Sequence, residues 1–213
     1  MAYQYEHPHP AVTTDIAVFV IDRDQLQVLL IKRGEEPFKG EWALPGGFLR
    51  PDETLEQCAR RELAEETSTG SSEVFLTGVY SRPDRDPRER VVTVAFAAMV
   101  HIPATAPRGG SDSDEARFWS LDALPPLAFD HATILADSLA KARSLAASRP
   151  LAAGLLPHRF TLAELQSAQE TLLGTRVDKR NFRRMVLEDA WVTETGEERR
   201  GNHRPAAVYQ AKR

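Results

Sequence analysis

The segment GGFLRPDETLEQCARRELAEETSTG, residues 46–70, contains the most specific structural signals in the chain. Its middle predicts one helix with marked ends. The hydroxyl of Thr54 can cap the first turn while Gln57, three residues later, reaches back to the backbone, and Gly70 is placed to end the helix. One face of this helix is apolar at spacings of four residues, with Leu55, Ala59 and Leu63.

The flank beside that apolar stripe carries carboxylates. Glu62, Glu65 and Glu66 are related by spacings of three and four residues, so their side chains can converge on one point. Like charges placed so close cost stability unless a positive charge lies among them. A divalent cation such as Mg²⁺ would remove that cost, because it takes oxygen ligands and shares them with phosphates. The alternative is an acidic helix face in contact with solvent, and the spacing alone leaves both open.

The composition is that of a globular chain. Its 213 residues are 42% hydrophobic, which is enough to bury a core in one large domain or in two small ones. Residues 1–10 have neither a basic start nor an apolar run, and no stretch reaches the roughly 18 apolar residues of a membrane span. We therefore expect a cytoplasmic protein with no membrane partner. The single cysteine, Cys58, excludes an internal disulfide and is expected to be a small buried residue.

Charge divides the chain into two parts. Residues 1–150 contain 16 Lys and Arg against 23 Asp and Glu, while residues 151–213 contain 11 against 8. The balances are −7 and +3, which sum to the net charge of −4. An acidic first part and a basic second part indicate two domains with different partners, although surface charge without any function gives the same totals.

The first part is predicted to form strands around one helix. Residues 12–21 and 25–33 are apolar, β-branched runs separated by the turn sequence DRD, which favours a hairpin. Residues 73–80, 91–100 and 115–121 are predicted as further strands, and a helix over residues 131–148 closes the domain. A polar loop, SRPDRDPRER, is too long for a plain turn between two of these strands.

The second part is predicted to contain two capped helices. Thr161 and Glu164 can form a capping box for the first, and Gly174 is placed to end it. Asp178 can cap the second helix after a short turn. The buried stripe of the second helix is expected to contain Phe182, Met185, Val186 and Ala190.

The second helix and the segment behind it are rich in basic side chains. Cations near the start of a helix gain nothing from its dipole, so a partner of negative charge is expected. Helix, turn, basic helix and basic hairpin together resemble a winged helix-turn-helix. A dimerisation surface or a solvated basic face is the alternative. The expected DNA-binding residues are Lys179, Arg180, Asn181, Arg183, Arg184, Arg199, Arg200, His203 and Arg204.

The opening stretch resembles the Nudix signature, G-x5-E-x7-R-E-U-x-E-E-x-G-U, in which U is an aliphatic residue. The resemblance implies an α/β/α sandwich with a mixed sheet, and a site that binds a pyrophosphate and a divalent metal. The signature's last glycine and aliphatic residue are replaced here by Ser68 and Thr69. The positions that match in register are Gly47, Glu53, Arg61, Glu62, Leu63, Glu65 and Glu66.

The same resemblance implies separate roles for the residues of this stretch. Glu62 and Glu66 are the expected metal ligands, and Glu65 assists them. Arg61 is expected to pair with Glu53 and to hold the loop against the helix. The expected catalytic residues are Glu53, Arg61 and Glu65, and the expected effector-binding residues are Gly46 and Gly47, with Arg33 added from the strand that precedes them.

Nearly the whole chain resembles the Nudix-related transcriptional regulators of NAD metabolism, the NrtR family. The segments that carry this resemblance are LLIKRGEEPFKGEWALPGGF, LAFDHATILADSL and DKRNFRRMVLE. It implies a ligand-sensing Nudix domain in residues 1–150 and a small winged helix-turn-helix domain in residues 151–213. It further implies a homodimeric repressor of NAD biosynthesis or salvage genes. ADP-ribose, or a related nucleoside diphosphate derivative, would release it from double-stranded operator DNA, and Mg²⁺ would not be required for DNA binding.

Two other functions stay open at this point. The chain can be an Mg²⁺-dependent ADP-ribose pyrophosphatase in which residues 151–213 mediate assembly, or it can act as both enzyme and repressor. The three glutamates of the expected metal site keep these alternatives open. The arginines of SRPDRDPRER are further candidates for the effector pocket. His131, which follows Asp130 at a predicted helix start, is expected to have a structural role.

Overall fold

The computed structural model describes residues 6–67, 73–101, 113–200 and 205–212. None of the helices within these ranges is both long and apolar enough to cross a membrane. The residues named above that fall outside the described ranges are Ser68, Thr69 and Gly70 at the expected end of the first helix, and His203 and Arg204 behind the basic helix.

A mixed sheet of seven strands forms the frame of the first part. β1 (Ala11–Asp22) and β2 (Gln25–Arg33) form the hairpin that the sequence predicts. β1 also pairs in parallel with β6 (Val91–Met99), which pairs in turn with β5 (Glu73–Tyr80). The remaining strands are β3 (Trp42–Ala43) and β7 (Ser113–Ser120), which pair with β2, and β4 (Gly46–Phe48), which pairs with β1.

One helix covers each face of this sheet. α1 (Leu55–Thr67) buries Ala59 and Leu63 against one face. α2 (His131–Ala146) buries Ile134 against the other. The order of helix, mixed sheet and helix confirms the α/β/α sandwich expected for this part of the chain.

The second part is built on a smaller sheet with the order β8-β10-β9. A 3-10 helix (Leu151–Leu155) leads into it. Strand, two helices and a hairpin form the winged helix-turn-helix that the sequence predicts. Its elements are β8 (Phe160–Thr161), α3 (Leu162–Leu173), α4 (Lys179–Glu188), β9 (Val192–Arg199) and β10 (Ala206–Ala211).

The helix ends follow the expected capping residues. Oγ1 of Thr54 accepts the N–H of Gln57 at 3.2 Å, and Oε1 of Gln57 accepts the N–H of Thr54 at 2.7 Å. Thr161 and Glu164 form the same reciprocal pair at the start of α3. Gly174 ends α3 with a φ of 72°, and Asp178 caps α4 by accepting the N–H of Asn181.

The buried stripe of α4 is shorter than expected. Phe182 and Val186 are buried and Met185 is half-buried in the core of the winged helix. The prediction that Ala190 continues this stripe is wrong, because α4 ends at Glu188 and Ala190 is exposed. Its φ of 52° lies in the left-handed region, which breaks the helical repeat and turns the chain towards β9.

The two parts are in direct contact. Ala168 and Leu172 of α3 lie in the same hydrophobic core as Ile134 and Ala146 of α2. The 3-10 helix packs closely on β6, since a Cβ atom on Gly154 would lie 2.8 Å from Cβ of Met99. A domain boundary at residue 150 stays a prediction, and α3 belongs to both hydrophobic cores.

Candidate functional site

A pocket of about 370 Å³ opens between β4, α1 and the start of α2. Charged side chains form much of its wall. Glu53 reaches this wall through its contact with Arg61. The residues expected from the sequence that line the pocket are Arg33, Gly46, Gly47, Arg61, Glu62, Glu65 and Glu66.

Gly46 and Gly47 leave no room for a side chain. A Cβ atom on Gly46 would lie 2.3 Å from the carbonyl oxygen of Thr14. A Cβ atom on Gly47 would lie 2.1 Å from Oε1 of Glu62. The backbone of β4 therefore lies directly against β1 and against a carboxylate of α1, and glycine is the residue that allows both approaches.

Arg61 holds the acidic side chains of the pocket in place. Its Nε donates to Oε2 of Glu53 at 3.0 Å and its Nη2 donates to Oε1 at 2.8 Å, a bidentate pair. Nη1 donates to Oε1 of Glu62 at 2.5 Å, and Nη2 to the carbonyl of Phe48 at 3.3 Å. The structure thus contains the contacts from Arg61 to Glu53 and to the loop that the family resemblance implies. The catalytic roles of these residues stay predictions.

These contacts move the pKa values of two glutamates in opposite directions. The hydrogen bond from Arg61 lowers the pKa of Glu53 to about 2. Burial raises the pKa of Glu62, although the hydrogen bond from Arg61 opposes that rise. Glu53 is therefore a fixed anion near neutral pH, whereas the charged form of Glu62 would be stabilised by a further cation.

The acidic side chains on α1 are of the type that binds Mg²⁺. Glu62, Glu65 and Glu66 line one pocket, and carboxylate oxygens are the ligands that Mg²⁺ prefers. Within the described part of the chain, however, no three His, Cys, Asp or Glu side chains are grouped closely enough to hold an ion. Arg61 supplies positive charge there, since Nη1 is also 3.6 Å from Oε1 of Glu65. A metal ion would therefore compete with Arg61 for Glu62.

The wall opposite α1 contains a buried ion network. Nη2 of Arg85 lies 2.7 Å from Oδ1 of Asp130 and 3.5 Å from Oδ2 of Asp15, and the Arg85 side chain is 4% exposed. Nδ1 of His131 accepts the N–H of Leu44 at 2.9 Å, and its Nε2 lies 3.5 Å from Oδ1 of Asp15. Burial lowers the pKa of His131, so the ring is neutral near pH 7. His131 thereby ties the start of α2 to the segment before β4.

Aromatic rings and arginines form the rim of the pocket. Phe48 is 46% exposed, and the guanidinium of Arg88 lies 5.5 Å from its ring centroid. Arg33 and Arg88 lie 4.8 Å and 6.0 Å from the ring centroid of Phe129. Phe38 packs edge-on against Phe129 at 4.7 Å, and both have positive φ. Two bulky residues in this uncommon conformation beside a pocket point to a functional surface.

Long-range folding decides which residues complete the pocket. Of the arginines in SRPDRDPRER, Arg85 and Arg88 line the pocket, whereas Arg82 and Arg90 make contacts within their own loop. The lining residues that the sequence did not predict include Asp15, Phe48 and Phe129. Phe48 directly follows the two glycines, and this adjacency is the signal that could have identified it. No local spacing indicates Asp15 or Phe129.

A second charged surface lies on α4. Its four cations, Lys179, Arg180, Arg183 and Arg184, form no ion pair with any other residue that the structure describes. All are exposed except Arg183, which is half-buried, and Asn181 is exposed beside them. On the hairpin, by contrast, Arg199 pairs with Glu164 of α3, and Arg200 lies 3.9 Å from Glu198. Among the described residues of the second part, the cations without an ion-pair partner are therefore concentrated on α4.

Comparison with known proteins relates both surfaces to characterised families. Residues 12–138 match the NUDIX domain, and residues 152–211 match the NrtR DNA-binding winged helix domain. The ADPR responsive transcriptional repressor NtrR of Acinetobacter baylyi is 37% identical over 209 residues, which is 96% of this chain and 83% of that protein.

Two solved structures extend this comparison. Shewanella oneidensis NrtR complexed with a 27mer DNA superposes with a TM-score of 0.83 at 32% identity, covering 94% of this chain and 93% of that one. The NUDIX domain of Shewanella oneidensis NrtR complexed with ADP ribose superposes with a TM-score of 0.58 at 31% identity, covering 63% of this chain and 90% of that one.

Proposed function

Since the chain belongs to the NrtR family, with a NUDIX domain followed by an NrtR winged helix domain, we propose that it is a DNA-binding repressor of NAD biosynthesis or salvage genes. ADP-ribose bound in the NUDIX domain is the effector that releases DNA. The observation that carries this proposal is a chain that joins a charged pocket to a helix whose four cations form no ion pair with the residues that the structure describes. Residues 1–150 act as the sensing domain and residues 151–213 as the DNA-binding domain, in the cytoplasm.

The diphosphate of the effector is placed beside Gly46 and Gly47. These two residues line the pocket with backbone atoms, and Arg33 and Arg88 line the same pocket. Burial and the charge of Arg88 lower the pKa of Arg33. An anion bound between the two guanidinium groups would offset the desolvation of Arg33 and the repulsion between the two cations. This supports a role for Arg33 in effector binding.

The adenine ring is placed on Phe48. This ring is exposed at the pocket, one residue beyond the glycines, and the cation of Arg88 stands over it. A flat, electron-rich base can stack on an aromatic ring that already carries a cation–π contact. Phe129, whose ring centroid lies 4.8 Å from the guanidinium of Arg33 and 6.0 Å from that of Arg88, closes the same rim.

The variant Phe48→Ala is therefore expected to bind ADP-ribose about 5- to 150-fold more weakly, since stacking of a base on an aromatic ring contributes about 1 to 3 kcal/mol. Phe48→Tyr, which keeps the ring, is the matched control and should bind like the wild type. Calorimetric titration of both variants measures the difference. An alanine variant with wild-type affinity would remove Phe48 from the binding site.

The operator is placed on α4 and the hairpin. Lys179, Arg180, Asn181, Arg183 and Arg184 are proposed to contact DNA from the second helix, as recognition helices do. From the hairpin, Arg199, Arg200, His203 and Arg204 are proposed to contact the DNA backbone, and Arg199 exchanges Glu164 for a phosphate when it does so. The repressor is proposed to bind two half-sites as a homodimer, and sedimentation of the complex counts the chains on one operator.

A second candidate function is ADP-ribose pyrophosphatase activity. It is favoured by Glu53, Arg61 and Glu62, which are held together by hydrogen bonds at the pocket. Glu62 and Glu66, assisted by Glu65, would hold Mg²⁺, which when bound neutralises charge on a leaving phosphate and activates water. DNA binding needs none of these metal contacts.

Adding saturating ADP-ribose to a preformed complex with operator DNA is expected to reduce operator affinity by about 5- to 150-fold, the usual range of coupling between two sites. Linkage then requires that DNA weaken ADP-ribose binding by the same factor. Fluorescence anisotropy of labelled operator DNA measures the loss, with NAD as the control ligand. If operator affinity stays constant while calorimetry shows bound ADP-ribose, the proposal that ADP-ribose releases the protein from DNA is wrong. An Mg²⁺-dependent hydrolysis assay on the same sample then tests the pyrophosphatase alternative.

A further inference from the structure

Helix α2 connects the pocket to the winged helix. Its first residue, His131, lies in the pocket wall, and its last residue, Ala146, lies in the core shared with α3. A helix of 16 residues is ~24 Å long at 1.5 Å per residue. One helix therefore reaches from the pocket to α3 of the winged helix.

At the pocket end, α2 is tied to the segment that would contact the effector. The N–H of Leu44, two residues before Gly46, donates to Nδ1 of His131 at 2.9 Å. Asp130, the residue before α2, accepts hydrogen bonds from Nη2 and Nε of Arg85 at 2.7 and 3.0 Å. Both contacts are buried or half-buried. A displacement of residues 44–47 would therefore act on the first turn of α2 through the bond between Leu44 and His131.

At the other end, α2 is fastened to α3 by Gln169, whose side chain is buried. Nε2 of Gln169 donates to the carbonyl of Ala146 at 2.5 Å and to the carbonyl of Arg149 at 2.8 Å. Oε1 accepts the N–H of Ala152, in the 3-10 helix, at 3.1 Å. One amide thus joins the end of α2, the connection that follows it and α3. A buried amide with all of these bonds is costly to displace, because each lost bond leaves a polar group unsatisfied.

Arg143 makes a second fastening between the same helices. Its Nε donates to the carbonyl of Leu172, in the last turn of α3, at 3.1 Å. A cation at this end of a helix is favoured by the helix dipole. The next residue after Gln169, Glu170, accepts the N–H of Val177 at 3.1 Å and so links α3 to the turn before α4. A motion of α3 would therefore reach the basic helix through this bond.

We propose that α2 transmits the occupancy of the pocket to the winged helix, and that Gln169 is the positioning residue that makes α3 follow α2. This inference rests on the proposed function, since it supplies the route by which a ligand in the pocket changes DNA affinity. Neither Gln169 nor Arg143 lines the pocket. Their loss is therefore expected to change the coupling between the two binding events, and not ADP-ribose affinity itself.

The variant Gln169→Met tests this route, because methionine keeps the length of the side chain and removes the amide. ADP-ribose affinity, measured by calorimetry without DNA, is expected to match the wild type. In the wild type, ADP-ribose is expected to lower operator affinity by the coupling factor. In Gln169→Met this factor is expected to fall towards one. The matched control is Thr171→Val on the same helix, because its hydroxyl donates to the carbonyl of Ser167 within α3 and not to another element that the structure describes. That control is expected to keep the wild-type coupling factor.

The outcomes separate this inference from the proposed function. If ADP-ribose does not release wild-type protein from DNA, the proposed function fails and the inference with it. If wild type is released and Gln169→Met is released by the same factor, the inference alone is overturned. Should Gln169→Met fail to fold, Arg143→Met takes its place, with a smaller but still reduced coupling factor expected. Hydrogen exchange gives an independent readout, since ADP-ribose should change exchange in α3 of the wild type and leave α3 of the variant unchanged.

Discussion

Replacing Arg183 and Arg184 together by alanine is expected to remove operator binding while leaving ADP-ribose binding intact. Both residues lie on α4 without an acidic partner among the described residues, so their charge is available to a polyanion. A contact between arginine and a base edge contributes about 1 to 3 kcal/mol, so two contacts amount to about 2 to 6 kcal/mol, at least about 30-fold in affinity. If the contacts are to phosphates, each one lost lowers the log-log dependence of affinity on salt by about one unit.

The control for this experiment removes the same charge elsewhere. Arg82→Ala with Lys141→Ala also lowers the net charge by two, but both side chains are exposed on the first part of the chain. Gel shifts and anisotropy at several salt concentrations compare the two double variants. Unchanged operator binding by the Arg183 and Arg184 variant would show that α4 is not the recognition helix.

Replacing Arg85 by methionine is expected to lower the free energy of unfolding by about 3 to 5 kcal/mol, the usual effect of removing one partner from a buried ion network. Arg85 is 4% exposed and is the cation that contacts both Asp15 and Asp130, so its loss leaves two carboxylates facing each other across the pocket wall. For a chain of 213 residues this is a decrease in Tm of roughly 6 to 20 °C. Urea denaturation and thermal melting both measure it.

The same loop offers the matched control. Arg82 pairs with Asp84 in the same way, at 2.8 Å, but its side chain is 76% exposed. Exposed ion pairs contribute about 0 to 1 kcal/mol, so Arg82→Met is expected to be nearly as stable as the wild type. Equal stability of the two variants would show that Arg85 is not a structural residue of the pocket. It would also weaken the view that the start of α2 is held by this network.

Much of the fold was predictable from the sequence because its signals are local. The capping box of Thr54 with Gln57 and that of Thr161 with Glu164 each join residues three positions apart, so spacing alone specifies the bonds. Gly174 and Asp178 mark helix ends by their own conformational preferences. The position of Ala190 could not be predicted in this way, because the end of α4 depends on how the chain enters β9.

Residue type and short spacing were therefore enough to predict α1 to α4, the hairpin of β1 with β2, and the carboxylates and arginine of the signature. Tertiary structure decided what completes the pocket and what joins it to the winged helix. Arg85 and Asp15 are 70 positions apart, and His131 and Leu44 are 87 apart. Gln169 meets Ala146 only because α2 and α3 pack together. Such contacts are selected by the packing of whole elements, because the burial of apolar faces fixes where distant polar groups meet, and no local pattern carries that information.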